Sequence, residues 1–141
     1  MSKLKCFFQP YSLPKGVSVA LLLVRILMGV ALIMHGWGKI QTPFSWMGPD
    51  APVPGILQFL AALSEFGGGI ALLLGLLTSL AMLGLFFTMA VAVHMHAVIK
   101  GDPFVGGYEL AALYLVLAIM FIITGPGKFA LDGKIFGNKS C

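Results

Sequence analysis

Residues 63–75, LSEFGGGIALLLG, place one carboxylate and three consecutive glycines inside an otherwise apolar segment. With its apolar flanks, the segment reaches the ~20 residues with which a helix crosses a hydrocarbon core of ~30 Å. A lone charge at the centre of such a helix costs about 2.5–3.5 kcal/mol on insertion scales. Glu65 therefore needs a partner within the protein, and that partner bears on how the helices pack.

The composition of the whole chain indicates a membrane protein. Of its 141 residues, 59% are hydrophobic and 10% are charged, whereas an ordinary globular domain is about 25% charged. So few polar groups cannot cover a water-facing surface, and we predict that lipid surrounds a single domain spanning residues 1–141. The net charge of +4 is scattered without an aromatic-interleaved basic patch, so we predict retention on an anionic membrane face and no nucleic-acid partner.

Four apolar runs have the length of membrane spans, at residues 17–35, 54–77, 80–99 and 107–124. The first exceeds the ~7–15-residue apolar region of a signal peptide and lacks a small-x-small cleavage site, so we expect it to be retained. The sequence thus predicts an all-α fold, a membrane-embedded four-helix bundle with short loops. A tight hairpin at Thr78 and Ser79 is expected to make the second and third helices antiparallel neighbours.

The connection at residues 36–53 differs from the other loops. It carries prolines, which disfavour a continuous helix, and aromatic residues, which favour the headgroup level; they are Pro43, Pro49, Pro52, Trp37, Phe44 and Trp46. We interpret this segment as an interfacial cap over one mouth of the bundle.

The distribution of lysines predicts the orientation. The two tails carry Lys3, Lys5, Lys15, Lys128, Lys134 and Lys139, whereas the loops of the opposite side carry Lys39 and Lys100. The positive-inside rule then places both termini in the cytoplasm. Cys6 and Cys141 form no C-x-x-C motif, and we interpret them as free thiols, with lipidation or a bond to a partner as the alternatives.

Two opposite charges are expected at one depth. Arg25 lies eight residues after Val17 and Glu65 eleven residues after Pro54, which places them about 12 Å and 16 Å from opposite faces of the membrane. We predict that Arg25 and Glu65 form an intramembrane ion pair, with small residues allowing the two helices to approach closely. Whether such a pair only fixes helix register stays open.

Further ionisable residues gather at the side opposite the tails. They are His35 and Lys39 after the first span, His94 and His96 near the end of the third, and Glu109 at the start of the fourth. In a bundle they would line a polar pocket of the kind that marks a proton path or a small-molecule site. For Lys39 and His94, snorkelling to water is the simpler interpretation.

The two histidines of the HMH motif must have different surroundings. Residues i and i+2 of a helix point about 200° apart, so we expect His96 to face inward and His94 to face lipid or the rim. A metal site of His35, His96 and Glu109 is a minor alternative, and we predict no metal.

The order of these motifs resembles the DoxX family of small bacterial membrane proteins. The motifs are R25-x-x-x-G29, H35-G-W-G-K39, E65-F-G-G-G, L74-G-L-L-T78, then His96, Glu109 and G125-P-G-K-F-A-L-D132. The resemblance implies a four-helix bundle in the bacterial cytoplasmic membrane and an association with redox chemistry. Members or relatives include the membrane subunit of a thiosulfate:quinone oxidoreductase and components of oxidative-stress complexes with soluble sulfur-handling partners. It also implies that Arg25, His35, Lys39, Glu65, His96 and Glu109 are the recurrent polar residues.

We therefore hypothesise a quinone-linked redox subunit that acts with a partner protein or as a homo-oligomer. His96 or His35 would bond a quinone carbonyl and transfer a proton, and Glu109 would relay that proton outward. Lys39, Trp37 and Trp46 would hold the substrate. Quinone is the one cofactor expected, since the chain shows no haem, flavin or metal motif. The alternative is a non-catalytic membrane scaffold or assembly factor, and a small proton-coupled transporter is a third, weaker hypothesis because no inverted repeat is apparent.

Overall fold

The computed structural model describes Gln9 and residues 11–137 of the chain. Cys6 and Cys141, predicted as free thiols, lie outside the described residues. The elements are α1 (Lys15–Gln41), α2 (Gly55–Leu74), α3 (Thr78–His94), α4 (Glu109–Thr124) and the short α5 (Leu131–Phe136). A π-helical segment, Met95–Lys100, continues α3, and a kinked turn, Phe104–Tyr108, leads into α4. No strand occurs within this described part, so the predicted all-α bundle is confirmed.

The surface of the bundle is suited to lipid. Four helical stretches are long and apolar enough to cross a membrane, and large apolar side chains such as Leu27 point outward, 76% exposed. In water such a surface would be unfavourable and aggregation-prone. The chain is therefore a membrane protein with four helices of spanning length, as predicted.

The two tails meet at one end of the bundle. Near the start of α1, the Ser18 hydroxyl accepts a bond from the Lys128 amide at 3.4 Å, and the Gln9 side chain donates to the Phe136 carbonyl at 2.8 Å. We call this the tail end, which also holds the α2–α3 turn, and we call the opposite end, with residues 42–54 and 95–108, the loop end.

The first helix is longer than predicted. It comprises 27 residues and ends at Gln41, whereas the sequence pattern placed its end at His35. Gly36 does not stop the helix, because it is the point where α1 approaches α2 most closely: a Cβ added there would lie 2.5 Å from the Phe66 amide nitrogen. Seven residues earlier on α1, Gly29 faces Gly69: a Cβ added at Gly29 would lie 3.0 Å from the Gly69 carbonyl oxygen.

This contact sets the register of α1 on α2, and it overturns the predicted Arg25–Glu65 ion pair. With Gly29 against Gly69, Arg25 comes level with Leu72 and Leu73, about 11 Å along α2 from Glu65. The prediction was wrong because it counted the two depths from Val17 and Pro54, whereas the glycine contact between the two helices sets their register. Both charges are buried as expected, but they belong to different networks.

Arg25 instead clamps backbone carbonyls at the tail end. Its Nε donates to the Leu72 carbonyl at 2.9 Å, and its two terminal nitrogens donate to Leu73 at 3.0 Å and Phe129 at 2.7 Å, with Pro126 at 3.3 Å. The residue is 1% exposed. A helix leaves its last carbonyls without helical partners, and the guanidinium satisfies two of them on α2 while holding the segment before α5.

The predicted hairpin is displaced by a few residues. Thr78 and Ser79 are the first residues of α3, and the turn is formed by residues 75–77, in which Leu77 has a left-handed φ of 49°. The Asp132 carboxylate accepts bonds from the Leu77 amide at 2.6 Å and the Thr78 amide at 2.9 Å. An anion at the N-terminus of α3 is favoured by the free amides there.

The segment of residues 42–54 folds onto the loop end of α2 through buried Gln58. The Gln58 side chain accepts from the Met47 amide at 3.0 Å and donates to the Val53 carbonyl at 2.9 Å. The Trp46 indole donates to the Gln58 carbonyl at 3.0 Å. The predicted interfacial cap is therefore a loop fastened to one helix, α2.

The close α1–α2 contact makes a direct prediction. Gly36→Ala should destabilise the protein by about 1–3 kcal/mol, the usual cost of overpacking, because the added methyl group meets the Phe66 backbone. Gly38→Ala, two residues along the same helix with open space around it, is the matched control and should be neutral or slightly stabilising. Thermal unfolding in detergent measures both, and equal midpoints for the two variants would contradict the contact.

Candidate membrane-embedded binding site

Glu65 pairs with Lys39 at the loop half of the bundle. The Lys39 ammonium lies 2.6 Å and 2.7 Å from the two carboxylate oxygens, with side-chain exposures of 27% for Lys39 and 5% for Glu65. Lys39 lies in the last turn of α1. Because α1 continues beyond His35 as a helix, Lys39 comes opposite Glu65. The pair reduces the cost of placing a carboxylate in the membrane.

The ammonium has a third contact. The Trp46 ring lies 4.6 Å from Lys39 Nζ, a distance at which a cation and an aromatic face attract each other. Because Trp46 is held by its bond to Gln58, the loop at residues 42–54 positions the ring above the ion pair. Through Trp46, the predicted cap therefore touches the predicted site.

A polar cavity of about 230 Å³ opens beside the ion pair. Each of the four long helices contributes to its wall, and the hydrogen-bonding side chains in the lining are His35, Lys39, Glu65, His96 and Tyr114. The remaining lining is mostly apolar, including Leu32 and Met89. A few convergent polar groups within an apolar wall are typical of a small-molecule site.

His96 is oriented by a residue that the sequence analysis did not single out. Its Nδ1 lies 2.7 Å from the Asp102 carboxylate, and the Asp102 amide donates to the His96 carbonyl at 2.9 Å. Gly101, with φ of 69°, turns the chain back so that both bonds form. Since Nδ1 is engaged by the carboxylate, Nε2 is the nitrogen left for a ligand or a proton.

A larger apolar groove of about 580 Å³ lies between α2 and α3. It shares Lys39, Glu65, Ala92 and His96 with the polar cavity, and Trp46 also lines it. The two spaces therefore adjoin at the ion pair.

The structure brings together most of the predicted site residues. His35, Lys39 and His96 line the polar cavity, and Trp46 lines the groove. His94 is exposed, on a different face from His96, as the helical geometry predicted.

Two predicted residues lie elsewhere. Trp37, expected to bind substrate, is 59% exposed and packs against Phe66 with ring centroids 5.7 Å apart, so it faces lipid. Glu109, expected to relay protons, is exposed at the first residue of α4 and lines neither space. Within the described part of the chain, no group of three or more His, Cys, Asp or Glu residues could hold a metal, so His35, His96 and Glu109 do not form the alternative metal site.

Tyr114 is a site residue that sequence reasoning missed. It is buried, lines the polar cavity, and lies edge-on to His35 with ring centroids 6.3 Å apart. In the sequence it is one aromatic among many in an apolar span, and nothing there marks it. Asp102 did carry a signal, since it follows a glycine just after the span that contains His96.

The fold and the site define a class, small four-helix membrane proteins with a polar cavity at one end of the bundle. The DoxX family model matches residues 20–98, and the chain belongs to the DoxX family. This confirms the resemblance drawn from the motifs.

Relatives of the chain cover most of its length. It is 36% identical to an uncharacterised protein of Haemophilus influenzae over 80% of this chain and 88% of that protein. It is also 36% identical to the inner membrane protein YqjF of Escherichia coli, over 81% of this chain and 90% of YqjF. It is 27% identical to CatD of Bacillus subtilis, named as a proposed oxidoreductase, over 89% of this chain and 93% of CatD. No solved structure matches the chain.

The reassigned ion pair can be tested with two double-mutant cycles. Lys39→Met, Glu65→Gln and the double variant should show a coupling energy of about 1–3 kcal/mol, because the pair is in direct contact. The matched cycle of Arg25→Gln with Glu65→Gln should be additive within about 0.5 kcal/mol, because those residues share no partner. Unfolding free energies in detergent provide the measurement, and coupling in the second cycle only would restore the original pairing.

Proposed function

We propose that the chain is a quinone-linked redox subunit of the bacterial cytoplasmic membrane that acts with a partner protein of small sulfur or reactive-oxygen chemistry. The observation that carries the proposal is the polar cavity inside the membrane, in which amine, imidazole and phenol groups converge within an apolar wall. Membership of the family supports a shared architecture, and the name of CatD supports redox chemistry.

The lining fits the ring of a quinone. Such a ring is flat and apolar and has two carbonyl oxygens, so it needs hydrogen-bond donors and little else. Lys39 and His96 offer donors on one side of the cavity, and His35 and Tyr114 line it as well. Leu32 and Met89 supply apolar contact.

Reduction of a quinone to a quinol adds two electrons and two protons. The electrons would come from a reduced sulfur compound oxidised on the partner protein. The protons would pass through the side chains of this chain: His96 is half-exposed near the loop end and is held by Asp102, so it can exchange protons with water and present Nε2 to the cavity. The Lys39 ammonium, paired with Glu65, would donate a hydrogen bond close to the ring.

The proposed orientation places the tail end in the cytoplasm, as the lysine distribution indicates. The polar cavity would then lie in the outer half of the membrane, and the partner would meet the ring from that side or through the bundle surface. In this orientation, protons would reach the polar cavity from the outer side of the membrane.

Cysteine labelling in intact cells tests that orientation. With Cys6 and Cys141 replaced by serine, Ser45→Cys at the loop end should react with a membrane-impermeant maleimide, because Ser45 is exposed. Ser12→Cys, equally exposed near the tail end, is the matched control and should react only after permeabilisation. The reverse pattern would place the cavity on the cytoplasmic side.

Quinone binding can be measured by tryptophan fluorescence, since the chain has two tryptophans. In a Trp37→Phe variant, Trp46 beside the ion pair is the sole reporter, and we expect saturable quenching by an added quinone. Lys39→Met in that background should weaken binding about tenfold, because a buried donor to the ligand is lost. A Trp46→Phe variant, with only the lipid-facing Trp37, gives the baseline for quinone dissolved in the detergent.

The same preparation separates the redox subunit from the scaffold alternative. When the chain is purified from native membranes with its partner, His96→Gln should abolish quinone reduction while the partner remains bound. Linear, unsaturated quenching by Trp46, together with a complex whose activity is unaffected by His96→Gln, would favour the scaffold and overturn the proposal.

A further inference from the structure

The groove between α2 and α3 extends the polar cavity toward the lipid. Large apolar side chains line both sides of the groove, and each is about half exposed or more. They are Leu57 and Leu60 on α2 and Phe87 and Val91 on α3. In a membrane these residues face acyl chains, so the groove opens sideways into the bilayer. Its inner end is the Lys39–Glu65 pair.

The groove exists because small residues line it. Ala61 and Ser64 on α2 face Gly84 and Thr88 on α3. The Thr88 hydroxyl donates back to the Gly84 carbonyl at 3.1 Å, which satisfies the only polar hydrogen of that side chain. Thr88 therefore adds little polarity to a lining that is mostly apolar.

We infer that this groove holds the isoprenoid tail of the quinone and is the lateral route by which the molecule enters from the bilayer. The inference rests on the proposed function. The observation that supports it is that the two spaces are continuous. Lys39, Glu65 and His96 line both the hydrogen-bonding cavity and the apolar groove, and so form the boundary between them. A molecule with a polar ring and a hydrocarbon tail matches this arrangement, because its ring would occupy the polar cavity and its tail the apolar groove.

The occupant is a tailed quinone rather than a phospholipid because of the charge at the inner end. A phospholipid would bring a phosphate to that end, where the buried Glu65 carboxylate already occupies the ammonium with both of its oxygens. Carbonyl oxygens of a quinone are neutral and can share the same ammonium without bringing a second anion. Trp46, seated over Lys39, covers the point where ring and tail would join.

Gly84 is the position at which the groove can be closed. A Cβ added there would lie 3.0 Å from the Ser64 hydroxyl oxygen, so a larger side chain must project between α2 and α3. Gly84→Leu should therefore fill the groove while leaving the polar cavity, whose lining does not include Gly84, intact.

The experiment compares two probes in the Trp37→Phe background, a quinone with a short isoprenoid tail and the tail-less duroquinone. We expect Gly84→Leu to weaken binding of the tailed quinone about tenfold or more, the effect of steric exclusion from an apolar pocket, and to leave duroquinone binding unchanged within about twofold. Gly16→Leu, at a helical glycine with open space around it, is the matched control and also corrects for partition into detergent.

The outcomes are distinguishable. Equal effects of Gly84→Leu on both probes, or no effect on either, would overturn the assignment of the groove while quinone binding itself stands. Absence of saturable quenching by both probes in the parent variant would overturn the proposed function and the inference together. Loss of a co-purified phospholipid, with tailed-quinone binding unchanged, would identify the groove as a lipid site instead.

A second variant guards against misfolding. Ala61→Leu approaches the same groove from α2 and should reproduce the tail-selective loss. Circular dichroism and elution volume in detergent establish that each variant is folded before binding is compared, and two folded variants without tail selectivity would reject the inference.

Discussion

The structure depends on the close approach of α1 and α2 through glycine. At Gly36 there is no room for a side chain between the two helices, and at Gly29 a methyl group would fit only tightly, which favours one register of α1 on α2. Lipid gives no hydrophobic reward for helix association, and packing of this kind supplies the attraction. The register then determines which buried charge meets which partner: Lys39 reaches Glu65, and Arg25 reaches the end of α2.

The buried charges at the tail end satisfy backbone groups that would otherwise lack hydrogen bonds in the membrane. The turn between α2 and α3 leaves carbonyls free at one helix end and amides free at the next, and unsatisfied backbone groups are costly away from water. Arg25 donates to the carbonyls that end α2, and Asp132 accepts from the amides that begin α3. Each charge also has the sign that the helix dipole favours at its position. These two residues therefore stabilise the fold at the tail end, apart from the candidate site at the loop end.

The sequence was sufficient for the architecture and for part of the site. Runs of apolar residues marked the spans, and His35, Lys39 and His96 could be grouped because each stands near the same end of a span. The ion pair could not be assigned, because depth was counted from Val17 and Pro54 and not from the helix contact. Glycine and tryptophan in HGWGK also resemble a loop, so Lys39 was not expected to lie on the first helix. The structure shows that α1 continues through Gly36 to Gln41. Tyr114 was indistinguishable from other aromatic residues of its span, and Asp102 reaches His96 only through the turn at Gly101.

The Lys39–Glu65 pair is separate from the network of Arg25 and Asp132 at the tail end, and this separation affects its role. A buried ion pair contributes little net stability once desolvation is counted, and here the glycine contact already fixes the register. The pair is thus not needed to specify how α1 lies on α2. It stands where the polar cavity and the apolar groove adjoin, so a ligand carbonyl can take part of the ammonium's hydrogen bonding without disturbing the helix contacts below. A charge pair that is dispensable for register and lies at the junction of two spaces is suited to exchanging hydrogen-bond partners, which the proposed quinone binding and proton transfer would require.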